Sequence, residues 1–229
     1  MLRLRAFKAV DDPESCQKFL KGHGDILSSI GVNKVTSNKA TWVENPGTYV
    51  LVVEDPDSLE VLGGARVDTS YGNSKLPIAS ATGYMDPSIH DHIADAATEG
   101  TGEICGLWNS RKVAGLGFGS LFLTRAAGAI TTQINVKSLF ALCAPYTIAT
   151  AESFGYKVMH EVGNDGTFYY PKLDLLATAM KLPDTSILDG ASELELDRVG
   201  SLRQEPNQRF EEQSRRRMVD VQYQLDLKH

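Results

Sequence analysis

The stretch "EICGLWNSRKVAGLGFGSLF", Glu103 to Phe122, decides the fold. An apolar run, Ile104 to Trp108, reads as a strand. Leu121, Phe122, Ala126, Ala129 and Ile130 recur at helical spacing, so a helix runs from about Ser120 to Gln133. Between them Gly115, Gly117 and Gly119 alternate with Leu116 and Phe118. Glycines let backbone N–H groups face inward, and a helix start adds unpaired N–H groups and a positive dipole end. Together they bind an anion without a cationic side chain. The alternative is a tight strand–helix turn that holds no ligand.

Two phosphate motifs do not fit. A dinucleotide fingerprint needs G-x-G-x-x-G and an acidic residue about 20 positions on. Here Ser120 takes the third glycine place if Gly115 is the first. A P-loop needs Gly-Lys-Ser/Thr, and Gly119 is followed by Ser120 and Leu121.

Outward from this stretch, residues Leu2 to Val10 alternate as a half-buried strand, and "DDPES" opens a helix that Gly22 and Gly24 should break. Tyr49 to Val53 and Val61 to Val67 read as paired strands around turn residues. The segment 70–102 is irregular, with one short helix near Ile89 to Ala97. After the glycine loop and its helix come strand "SLFALCA", a helix over Tyr146 to Phe154 with Gly155 at its C-cap, and strands to Leu182. Beyond Leu182 the chain turns polar and ends in the alternating "MVDVQYQLDL". This predicts a domain over 1–182 and a C-terminal extension over 183–229, a polar arm ending in a strand. That strand can complete this sheet or a neighbour's, which leaves a homodimer open.

The 229 residues suffice for one core without disulfides or metal. A net charge of −6 argues against nucleic acid or an anionic membrane as the main partner. Three widely spaced cysteines, Cys16, Cys105 and Cys143, read as reduced and buried. There is no apolar run of membrane-spanning length and no apolar leader, so the expectation is a cytoplasmic protein. His90 and His92 lack further metal ligands and read as solvated, as does the basic run at 215–217.

The order of elements and the glycine loop resemble the GNAT acyltransferase superfamily. Its pyrophosphate loop is commonly Arg/Gln-x-x-Gly-x-Gly/Ala, and the match falls on Gly117 and Gly119 in "AGLGFGSLF". Ala114 stands at the Arg/Gln position. Arg111 and Lys112 lie just upstream. "LFALCAPYTIATAESFGYKV" is similar to the family's fifth strand, next helix and "GF" turn, with Gly155-Tyr156 in that place. The resemblance covers 2–182. It implies an α/β (α+β) fold: a mixed, mostly antiparallel sheet with splayed fourth and fifth strands, flanked by helices. A weaker resemblance is to acyl-homoserine-lactone and N-acyl amino acid synthases, through Arg66 in "GGARV", Leu76-Pro77 and Glu103. The final Arg of their pattern is Gly106 here.

The resemblance implies an N-acyltransferase that moves an acyl group, acetyl or longer, from acyl-CoA to a small-molecule amine in a ternary complex, without metal. Gly115, Leu116, Gly117, Phe118, Gly119 and Ser120 would hold the donor's pyrophosphate, and Leu107 and Trp108 its amide arm; a core position is the alternative for Trp108. Glu103 is the candidate base. The family's usual acid, a Tyr, falls on Ala151, and Tyr146 one turn earlier is its candidate substitute. Arg66, a charge in an apolar strand, needs a partner. A substrate carboxylate is one, an internal ion pair another. Two alternatives stay open: an inactive acyl-CoA-sensing or interaction module, and a synthase using acyl-carrier protein.

Overall fold

The computed structural model describes residues 1–32, 40–70, 75–214 and 217–227. Arg215 and Arg216 of the basic run lie outside them. Alternation makes the sheet two-faced. In β2 (Thr48–Glu54), Leu51 and Val53 enter one core, and Val50 and Val52 enter another on the opposite face. It pairs antiparallel with β1 (Leu2–Lys8) and with β3 (Val61–Thr69), and β3 pairs antiparallel with β4 (Thr101–Asn109). Strand β5 (Ser138–Cys143) lies parallel to β4, and β8 (Leu176–Leu182) lies antiparallel to β5. The short β6 (Lys157–Val158) and β7 (Thr167–Tyr169) both pair with β8.

Asp12 starts α1 (Pro13–Ser29): its carboxylate accepts the Ser15 N–H at 3.0 Å, and Pro13 needs no donor there. The expected break at Gly22 and Gly24 is absent, because tertiary packing holds the helix straight through. A Cβ on Gly22 would lie 2.0 Å from the Trp108 indole, so this glycine serves close packing. The 70–102 segment holds two short helices, α2 (Pro77–Thr82) and the anticipated α3 (Ile89–Ala97). Helices α1, α2 and α3 cover one face of the sheet.

The other face carries α4 (Leu121–Ile130), buried on every side from Phe122 onward. A helix apolar all round needs cover on both sides, and residues beyond Leu182 supply it. The short α5 (Ile148–Glu152) precedes β6. Helix α6 (Glu193–Gln204) packs on α4 through Val199. Strand β9 (Asn207–Gln213) forms a hairpin with β10 (Met218–Gln224), and β10 pairs parallel with β1 of the same chain. Residues Val199, Leu202, Val221, Tyr223 and Leu225 join the main core. The expected polar arm is therefore an integral part of one ten-stranded sheet, and Leu182 marks no change of core.

Candidate functional site

Strands β4 and β5 pair only from Thr101–Ser138 to Ile104–Ala141. Beyond that they part. On the β3 side, the β4 register slips between Arg66 and Gly64, and Gly106 adopts φ +61°, a conformation that favours glycine. The result is a bulge. It reverses the alternation of side chains: Glu103 and Cys105 share a face before it, and Trp108 reaches that face after it.

A cavity of about 670 Å³ opens where the strands part. His23 and Leu27 of α1 line it from one face, and Ser120, Thr124 and Thr150 from the other, so it passes through the sheet. Its walls are mostly apolar, with Leu107, Leu142, Tyr156 and Leu176 among them. A hollow of similar volume at the C-terminal hairpin is lined chiefly by polar side chains such as Arg209 and Gln222.

Glu103 lines this cavity and is 2% exposed. Its Oε2 accepts the Ile78 N–H at 2.6 Å. Burial pushes its carboxyl up to about 8; the Ile78 N–H and Arg66 oppose the rise, and Asp68 adds to it. Cys105 lies beside it, its Sγ 3.5 Å from Asp68 Oδ2. Burial raises this thiol well above its usual range, so it is a poor nucleophile. Cys143 is likewise pushed up by burial, to about 11.

Arg66 is 1% exposed and does not line the cavity. Its Nη2 donates to Asp68 Oδ2 at 2.8 Å, and its guanidinium lies over Trp42 at 4.7 Å. Of its two anticipated partners, the structure supplies the internal ion pair. The Trp108 side chain does not line the cavity either. The bulge at Gly106 turns its indole under α1, edge-on to Phe19. Leu107 points to the opposite face and stays on the cavity wall.

The glycine loop runs from Gly115 into the start of α4. Leu116 and Phe118 are buried in the main core, so the loop presents backbone rather than side chains. Gly115 and Gly117 have φ of +78° and +89°. A Cβ on Gly119 would fall 2.1 Å from Asn109 Oδ1, so Gly119 is held by a close approach. Leu116 N–H and Phe122 N–H bond to Val113 and Gly117 carbonyls. Among the described residues, the N–H groups of Gly117, Phe118, Gly119 and Ser120 have no protein acceptor. This is the donor array a phosphate needs. Ser120 also lines the cavity. Ala114 and Arg111 are exposed, and Lys112 pairs with Glu60 at 2.6 Å.

Tyr146 lines the cavity but is 84% exposed, in the turn Pro145–Thr147. Ala151 is on the wall too. Three lining groups escaped the sequence reading: His23, Tyr170 and Tyr156. Burial holds the Tyr156 phenol above its usual value and thus protonated. Only its place after Gly155 marked it. His92 lies 4.0 Å from Glu161, and among the described residues no three metal-ligating side chains cluster. Among the same residues no helix is long and apolar enough to cross a membrane.

No protein-family model matches the sequence, and no curated protein matches it significantly. Solved structures do resemble the fold. FeeM, an N-acyl amino acid synthase from uncultured soil microbes, superposes with a TM-score of 0.60 at 13% identity, over 85% of this chain and 95% of FeeM. BjaI, a CoA-dependent acyl-homoserine lactone synthase solved with SAM and isopentyl-CoA, gives 0.54 at 14%, over 90% and 91%. An acyl-CoA N-acyltransferase from Pseudomonas aeruginosa gives 0.54 at 13%, over 79% and 99%. With its mixed sheet, parting fourth and fifth strands and glycine loop at the head of α4, the chain has the GNAT fold.

Proposed function

We propose that the protein is an N-acyltransferase that takes an acyl group from acyl-CoA and passes it to the amine of a small molecule. The observation that carries this reading is one cleft whose wall holds both a buried carboxyl of raised pKa, Glu103, and Ser120, the residue that ends the donor-rich backbone loop. The loop from Gly117 to Ser120 would hold the pyrophosphate. Glycine at 119 lets that backbone approach Asn109, where a side chain would collide. The donor's amide arm would lie between β4 and β5, where Cys105 to Trp108 have left β5 and Leu107 lines the wall. The apolar lining favours an acyl chain longer than acetyl.

The chemistry needs little more. The amine nitrogen attacks the thioester carbonyl, the C–N bond forms and the C–S bond breaks. The ionised Glu103 accepts the amine proton, directly or through a water. Coenzyme A leaves as a thiolate, which water can protonate, so Tyr146 at the exposed mouth is not required for departure. The reading draws added support from the acyl-CoA donor and N-acyl transfer named for BjaI and the Pseudomonas protein.

Binding is the first test. Saturating acyl-CoA, at 100 times its Kd, should add about 2.7 kcal/mol to the unfolding free energy. Longer acyl chains should bind more tightly than acetyl-CoA. No stabilisation by any acyl-CoA would refute use of this donor.

A further inference from the structure

Helix α4 carries a buried cation. Arg125, 1% exposed, donates through Nε and Nη2 to both oxygens of Glu195 on α6, at 2.7 and 2.8 Å. Its Nη1 lies 2.7 Å from Glu212 Oε1 on β9, a charge contact rather than an aligned hydrogen bond. Tyr223 on β10 donates to the same oxygen at 2.9 Å, and Arg198 stands 3.9 Å from the other. Among the described residues, both carboxylates that meet this charge come from beyond Leu182. The same segment grips the far end of α4. Arg203 donates to the Gly128 carbonyl at 2.9 Å, and Gln133, just past the helix, donates to Leu225 at 2.9 Å.

The network continues toward the glycine loop. The Arg125 guanidinium lies 5.3 Å from the Phe122 ring. That ring supports the loop from below: a Cβ on Gly117 would sit 2.8 Å from it, and Phe118 packs edge-on at 5.1 Å. A packed line of Glu195, Arg125, Phe122 and Gly117 therefore joins the C-terminal segment to the donor array.

We infer that Arg125 is a positioning residue for the donor: the C-terminal segment, through Arg125 and Phe122, holds the glycine loop in the shape that binds the pyrophosphate. Arg125 touches no substrate. A replacement that keeps the charge but loses the two-pronged fork should loosen the loop without emptying the core. This inference rests on the proposed use of acyl-CoA.

The test is calorimetric binding of coenzyme A to the full chain, well below its melting temperature. The variants are Arg125→Lys, Glu195→Gln as the milder change, and Val50→Ala as a control in the opposite core. We expect Arg125→Lys to raise the Kd for coenzyme A about tenfold and Glu195→Gln several-fold. Val50→Ala should lower the melting temperature and change the Kd less than twofold. If Arg125→Lys does not fold, Glu195→Gln alone decides. An unchanged Kd in the variants, or an equal loss in the control, overturns the positioning role while leaving donor use intact. No binding by the unaltered protein overturns both.

Discussion

Replacing Glu103 with Gln should change the pH dependence of both stability and rate, by an amount that follows from burial. The carboxyl titrates at about 8 in the fold against an ordinary 4.5. Between those values the native state keeps a proton that the unfolded chain has released, so stability falls as pH rises. The contribution is whole below pH 4.5 and gone above about 8. The full loss is at most about 5 kcal/mol. It shrinks where Arg66 or water relaxes toward the charge. Gln keeps an oxygen for the Ile78 N–H but has no proton to lose. Urea unfolding of both proteins from pH 5 to pH 9 should therefore give a difference curve that favours the variant increasingly toward pH 8, then levels. A flat difference would refute the raised pKa. In turnover, the unaltered protein should gain rate up to about pH 8 as Glu103 ionises, and the variant should be about a hundredfold slower. An amine acceptor also gains rate as it deprotonates, so the unfolding curves are the cleaner readout.

Gly119→Ala should weaken coenzyme A binding, because its Cβ meets Asn109 Oδ1, and adding Asn109→Ala should restore much of it. Failure of the double variant to recover would place the defect elsewhere. Arg66→Met leaves Asp68 buried without its cation and should cost about 3–5 kcal/mol by denaturant unfolding. A raised KM for the acceptor at unchanged stability would instead return Arg66 to substrate binding. Tyr146→Phe should change kcat less than about threefold, since water can protonate the departing thiolate. A loss of a hundredfold would make Tyr146 the general acid.

What the sequence made legible depended on how locally each feature is encoded. The loop from Gly115 to Gly119, the strand before it and the helix after it are written in adjacent residues, and all three stand where expected. Glu103 stands out in the sequence by its place ahead of the loop, but its burial depends on α2, which leaves no sequence signal. Six residues, with the Ile78 N–H at their start, are too few for a periodic signal. The surroundings of Trp108 and Arg66 stay open in the sequence for a different reason. One bulge at Gly106 reverses the side-chain alternation of β4, and the partner that satisfies Arg66 is Asp68 two residues on, on the same strand face. The C-terminal helix α6 buries only Glu195, Val199 and Leu202 among charged neighbours, so its composition reads as solvent-facing. A buried Glu195 makes sense only once Arg125, 70 residues away in sequence, lies against it.

Amine-dependent release of free coenzyme A thiol tests the account most directly. The protein is mixed with an acyl-CoA series and a panel of small amines, and the products are weighed by mass spectrometry. The account predicts thiol release that requires the amine, an amide carrying the acyl mass, and loss of both in Glu103→Gln. Binding of acyl-CoA with no amide from any amine would contradict it, and so would hydrolysis that the amine does not affect.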